Sequence, residues 1–354
     1  MQEPRTKYKE QSTKLKVPSS KFQAQSSKLK VLQRKMQINR QSAIGNALVE
    51  CVPNFSEGRK AETVAALSRV IETVETACVL DRHIDPDHNR SVITFVAAPE
   101  KIVDAAVAVV GCAAELIDMR RHQGEHPRLG ATDVLPFVPI RGVSIDDCVR
   151  LAHAAGQRIA TELAIPVFFY ERAALKPDRV NLEDVRRGAL ELLRTQISVE
   201  PGRAPDVGPL AVHETAGAIA VGARPFLVAF NVNLKSSDVA VARQIAKTVR
   251  ARDGGLPFLK ALGFTLSTRG MVQVSMNLVN YETTGMAAAY DAVRDAARRL
   301  GVEIHSTEMV GLVPEKALDR SAEYFGKLEN FSADKILEHR LLICKSGGMP
   351  PFLT

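Results

Sequence analysis

The chain is predicted to be an α/β protein of the α+β type: two ferredoxin-like split-βαβ domains with mixed sheets, helices mainly on one face. Three observations predict this. At 354 residues it can hold two domains that each bury a core. Its 45% apolar and 25% charged residues are the balance of a globular protein. Beyond residue 46, short apolar runs alternate with stretches of helical spacing, and the second half runs strand–helix–strand–strand–helix–strand. A site in the cleft between the domains is the natural expectation.

In the first domain, expected over 47–200, Leu48–Val52 is a short strand leading into the turn Pro53-Asn-Phe-Ser-Glu-Gly58. From Lys60 to about Glu75 the spacing of Val64, Leu67, Val70 and Ile71 predicts a helix. Cys78–Leu80 and Ser91–Val96 read as strands across a polar loop, and Pro99 opens a helix to about Met119. Val134–Val138 is a strand broken at its edge by Pro136 and Pro139, and Ser144 to about Leu163 is a helix before the strand Ile165–Tyr170. The polar stretch from Gln196 to Val207, with Pro201, Gly202 and Pro205, reads as an interdomain linker.

The second domain, expected over 201–354, starts its pattern with the strand Phe226–Leu234 and a helix that Ser236 or Ser237 can cap, ending near Arg252. Leu262–Ser267 and Val272–Val279 form a hairpin around Thr268-Arg-Gly270. Met286–Leu300 is an Ala-rich helix, and Val302-Glu-Ile304 begins the last strand.

The net charge of +7 belongs to one end. Of 47 Lys and Arg and 40 Asp and Glu, eleven and two fall in residues 1–46, which leaves 36 basic against 38 acidic residues elsewhere. Residues 1–46 lack hydrophobic periodicity and nearly duplicate Gln11–Val17 as Gln25–Val31, so a disordered basic tail is expected there. The slightly acidic remainder, 5% aromatic residues and no Trp argue against a nucleic-acid surface. No apolar run reaches membrane-spanning length, so no membrane contact is expected. Five cysteines (51, 78, 112, 148, 344) stand singly, which suits buried unpaired thiols in the cytoplasm.

Four constellations carry chemistry. In His122-Gln-Gly-Glu-His126-Pro-Arg128 through Asp133, the pattern His-x-x-Glu-His matches an inverted zinc-peptidase signature. Gly124 and Pro127 break the helix that would present both ligands, so no metal is expected and a zinc hydrolase is the lesser alternative. The better reading is a loop holding an imidazole at a cleft. In His83-Ile-Asp-Pro-Asp-His-Asn-Arg90 the turn is expected to close through Asx bonds. Arg90, at the start of a strand, is placed to grip a carboxylate. In Asp206–Gly217 two glycines permit close approach of a flat ligand. On the strand end, Asn231 and Asn233 share one face opposite a neighbour at Asn277–Tyr281, and buried amides need partners or a ligand.

These segments together resemble the formiminotransferase family of histidine breakdown. The resemblance rests on Leu48–Gly58, Asp87–Arg90, Gly124–Arg128, Asp133-Val, Pro136–Pro139, Asp206–Pro209, Gly222–Arg224, Phe230–Asn233 and Val310–Pro314, and spans the chain from about residue 47. It implies transfer of the formimino group from N-formimino-L-glutamate to N5 of tetrahydrofolate, a co-substrate, with release of L-glutamate. N-formylglutamate is the alternative donor. No cyclodeaminase domain is expected, since the chain ends about 40 residues after Pro314.

His126 matches the family's catalytic histidine, and an imidazole titrating near neutrality can take and return the proton of amidine transfer. The family's folate-binding segment falls on Gly208, Pro209, Leu210, Ala211, Val212, His213, Glu214, Thr215, Ala216 and Gly217. Glu125 and Asp133 are expected to orient the imidazole, and Arg90, Arg128, Asn231 and Asn233 to bind substrate. A homodimer is expected.

Overall fold

The computed structural model describes residues 47–124, 127–329 and 331–346; the basic segment 1–46 lies outside them. The first sheet is seeded by a strand that a proline interrupts. Pro53 has no N–H to give a ladder, and the chain on either side forms β1 (Leu48–Cys51) and β2 (Asn54–Phe55). Both lie between β4 (Arg90–Ala97) and β5 (Thr132–Arg141), antiparallel to each, and β3 (Cys78–Asp85) pairs with the outer side of β4. With α1 (Ala61–Glu72) and α2 (Pro99–Leu116) this is the predicted split βαβ order.

The sheet then grows beyond that unit. α3 (Ile145–Glu162) crosses to β6 (Val167–Glu171), and β7 (Ile219–Ala223) inserts between β5 and β6, parallel to both. Residues 219–223 therefore belong to the first sheet, although they follow the division expected at 200/201. The polar stretch read as a linker is a strap: Asp206 N–H donates to Val167 O and Val167 N–H to Val207 O, which ties the strap to β6 and returns the chain to the sheet. Short helices α4 (Leu182–Val185) and α5 (Ala189–Gln196) precede it.

Burial follows the strand period. Cys51, Phe95, Leu135, Phe137 and Val221 face α1–α3, where Leu67, Ile102, Val109, Ala155 and Ile159 close the main core. Ser144 begins α3 with a reciprocal capping box to Asp147, as its sequence position predicts. The opposite face is covered only in parts. Val185 and Leu193 sit on Phe168 and Tyr170, and Leu337 and Cys344 sit on Leu48, Leu80 and Val96. Here the expectation of unpaired thiols fails for two cysteines. Packing of the last helix on β3 brings Cys78 and Cys344, 266 residues apart, into a disulfide, while Cys51, Cys112 and Cys148 stay free.

The second domain follows the expected order. β8 (Val228–Leu234), α6 (Val239–Val249), β9 (Leu259–Leu266), β10 (Met271–Leu278), α7 (Met286–Arg299) and β11 (Ile304–Val310) give an antiparallel sheet ordered β11-β8-β10-β9. Phe230, Val232, Val274 and Met276 face its helices, including the short α8 (Glu323–Gly326), and α9 (Leu337–Lys345) returns to the first domain. The helix-free face of this sheet turns to the first domain. Phe264 meets His88 edge-on at 5.0 Å, Thr268 N–H and Oγ bond both oxygens of Asp87, and Lys260 reaches Glu171 and Glu183.

Candidate functional site

Three loops meet where the interrupted first strand ends, and one side chain joins them. Asn89 takes a left-handed backbone (φ 47°), which suits Asn better than most residues. Its Oδ1 accepts from Gly58 N–H at 3.0 Å, its Nδ2 donates to Gln123 O at 2.9 Å, and its carbonyl faces His122 Nε2 at 3.0 Å. The turn before it closes by the expected Asx bond, Asp85 Oδ1 accepting from His88 N–H, with a second contact of 2.6 Å between Asp85 Oδ2 and His88 Nδ1. Burial alone would raise the Asp85 carboxyl, but the two bonds from His88 outweigh it and hold the group below its ordinary range. Gly124 is required here: a Cβ would stand 2.5 Å from His88 O.

His126, the expected catalytic imidazole, and Glu125, expected to orient it, lie outside the described residues. Their neighbours on both sides, His122–Gly124 and Pro127–Arg128, are not helical. Arg128 is held by its own loop: Nε donates to His122 Nδ1 at 2.9 Å and Nη2 to Glu191 at 2.9 Å. Burial lowers the His122 pKa, and the nearby Arg128 acts the same way. Asp133, expected to orient the imidazole, is buried with Leu129 N–H at 2.9 Å and a paired Arg186 as its partners among the described residues.

Beside that pair lies Arg90. Burial pushes its guanidinium down to about 10, and Arg186 works in the same direction. Its Nε has no hydrogen-bond partner among the described residues. Asp133 pairs with Arg186, while Arg90 feels Asp133 and Asp85 without an ion pair to either among the described residues, and it lines a pocket with Phe55, Ser56, His88, Asn89, His122, Arg128 and Asp133. A carboxylate of a ligand is the chemistry such a corner accepts. Arg186 escaped the sequence reading because nothing in its helical surroundings marks it.

The segment Gly208–Gly217 is brought against the same loop. Gly217 (φ 76°) lies so close to Leu129 O that a Cβ would stand 2.5 Å away, and Ala131 N–H donates to Ala216 O. His213 Nδ1 accepts from Ala216 N–H at 3.0 Å, while Pro209, Leu210 and Ala211 are exposed. Asp206, at the head of the motif, is structural: it pairs with buried Arg179 at 2.6 Å and accepts from Phe169 N–H.

Asn231 and Asn233 lie on the helix-free face of the second sheet, buried under the first domain. The neighbour is the expected strand, but the register opposes them to Ser275 and Gln273, and Asn277 faces Ala229. Asn233 Nδ2 donates to Ser306 Oγ at 3.0 Å, and Gln273 Nε2 to Asn233 Oδ1 at 2.9 Å. Strand alternation applied to the hairpin finds Gln273; Ser306 needed the last strand's register.

Fold and site define an α/β protein of two packed sheets in which the loops at 83–90 and 127–133 and the segment Gly208–Gly217 come together. The sequence matches the formiminotransferase domain, N-terminal subdomain, over residues 48–224 and the formiminotransferase domain over 229–345. The chain belongs to the formiminotransferase family. It is 49% identical to the glutamate formimidoyltransferase of Thermoplasma acidophilum, over 83% of this chain and 97% of that one. With the glutamate formimidoyltransferase of Streptococcus pyogenes the identity is 44%, over 83% and 99%. The formimidoyltransferase-cyclodeaminase of Rattus norvegicus is 41% identical over 86% of this chain but only 58% of its own length.

Proposed function

We propose that the chain transfers the formimino group of N-formimino-L-glutamate to N5 of tetrahydrofolate and releases L-glutamate, as a step of histidine degradation. The observation that carries this reading is its 49% identity to a glutamate formimidoyltransferase along 97% of that protein's length. In the reaction N5 attacks the amidine carbon, a tetrahedral intermediate forms, and the bond from that carbon to the glutamate nitrogen breaks. N5 must lose a proton and the departing nitrogen must gain one, and His126 is the group proposed to carry it.

Glu125 is proposed to support that imidazole. Arg90, with Arg186 behind it, is proposed to take a substrate carboxylate. The exposed run Pro209–Ala211 and the rest of Gly208–Gly217 are proposed to bind the folate. Asp133 and Arg128 serve this arrangement by holding Arg186 and His122, and Asn231 and Asn233 by fixing the opposite wall. No helix among the described residues is long and apolar enough to cross a membrane. A cytoplasmic homodimer goes with this reading, and sedimentation of the purified chain measures the assembly.

The test is incubation with both substrates and assay of 5-formiminotetrahydrofolate. Product is expected from the wild type, and a loss of at least about 100-fold in kcat from His126→Ala. A wild type that makes none overturns the function, and an undiminished His126→Ala overturns the role of that residue.

A further inference from the structure

The wall opposite the acid–base loop holds a carboxylate that the transfer chemistry above does not use. Glu308 lies on β11, half-buried, on the face of the second sheet that turns to the first domain. Asn231 Nδ2 at 3.5 Å and Gln273 Nε2 at 3.3 Å both approach its Oε2, and among the described residues no donor reaches Oε1. Gln273 is itself held by Asn233, and Asn233 by Ser306, so the carboxylate stands on a fixed row of amides. Among the described residues no lysine or arginine lies within ion-pair distance of it. Its charge is felt by the half-buried ring of His83 in the first domain, where it opposes the lowering that burial causes.

A partly desolvated carboxylate with one oxygen anchored and the other open calls for N–H donors, best two in parallel that match its fork. Gln273 is the cross-strand partner of Phe264, which touches His88, so this acceptor site lies a few sheet positions from the 83–90 loop. We propose that Glu308 is a specificity-determining residue that binds a planar N–C–N edge carrying two N–H groups. The inference rests on the function proposed above, where both substrates own such an edge: the amidine of formiminoglutamate, and N3–H with the 2-amino group of the pterin. The carboxylate fixes that edge and takes no part in proton transfer.

The experiment uses the full chain with Glu308→Gln, in which a donor replaces one acceptor at constant shape. Two constants are read: Kd for 5-formyltetrahydrofolate by calorimetry, and KM for formiminoglutamate at saturating tetrahydrofolate. One of them is expected to weaken by about 10- to 100-fold with kcat within threefold. A weaker folate Kd alone assigns the edge to the pterin; a higher formiminoglutamate KM alone assigns it to the amidine. Glu308→Asp keeps the charge but withdraws it by one methylene, and is expected to fall between. Both constants within twofold of wild type in Glu308→Gln overturn the proposal, as do wild-type constants in Glu308→Asp if the first variant does not fold. The folate Kd needs no turnover, so a wild type that binds folate without forming product overturns the function and not the acceptor site.

Discussion

His122 and Asn89 fix each other, the ring Nε2 lying 3.0 Å from the Asn89 carbonyl. A guanidinium can only donate, so the bond from Arg128 Nε makes Nδ1 the acceptor and leaves the proton on Nε2, which donates to Asn89. His122 is therefore neutral and occupied on both nitrogens. It is a strut of the loop and has no lone pair left for substrate.

Asn89 is the residue on which this loop depends. Asn89→Ala removes the bonds to Gly58 and Gln123 and places a Cβ-bearing apolar residue at φ 47°. The expected cost is about 2–4 kcal/mol in urea unfolding, with kcat/KM down at least about 100-fold. Asn89→Gly keeps the backbone freedom and loses the amide, so its stability should recover further than its activity. Equal recovery of both would contradict a positioning role.

Asp133 is the counter-charge for a guanidinium pair. Asp133→Asn keeps an acceptor for Leu129 N–H but takes the ion-pair partner from half-buried Arg186 and a nearby negative charge from Arg90. A destabilisation of about 3–5 kcal/mol is expected, partly relieved by adding Arg186→Met. Chemical denaturation of the single and double variants measures it; a loss below about 1 kcal/mol in the single variant would show that Asp133 does not carry this charge.

Glu50 gives the fold a pH dependence of its own. It is 2% exposed, between Val96 and Val138 in the sheet, and burial pushes its carboxyl up to about 7, with Arg224 opposing. Between its ordinary value of 4.5 and about 7, the folded state holds more protons than the unfolded state. Its contribution is thus fully present below 4.5 and is lost as pH rises through 7. Glu50→Gln does not titrate, so relative to wild type it should gain of order 3 kcal/mol between pH 4.5 and 8 and then level off. Denaturation midpoints across that range test this, and parallel curves for the two proteins would refute it.

The second domain was legible because its signals are local, alternation in β8 and β10 and a Gly-containing hairpin, although the cap of α6 is Asp238, whose Oδ1 accepts from Ala240 N–H, and not Ser236 or Ser237. The parallel pairing of β7 was not, because Ile219–Ala223 carries no mark of which sheet it joins and its partners lie far back in the chain. Cys78 and Cys344 were hidden for the same reason: their meeting depends on where the last helix lands. In the site, Asn89, Arg90 and the Gly208–Gly217 segment could be read as motifs. Arg186 and Glu308 act through partners on other elements, Asp133 and Asn231, that only the folded chain brings near.

The insertion of β7 has a mechanical consequence. Because the chain leaves β6 and comes back to β7 in the same sheet, the segment 208–217 is tied at both ends to the body that also carries residues 127–133. These two loops form one jaw of fixed internal geometry, whereas Asn231, Gln273 and Glu308 belong to the other jaw. A change in the angle between the jaws would alter how firmly a ligand is gripped without disturbing the alignment of Arg128 and Asp133 with the segment 208–217.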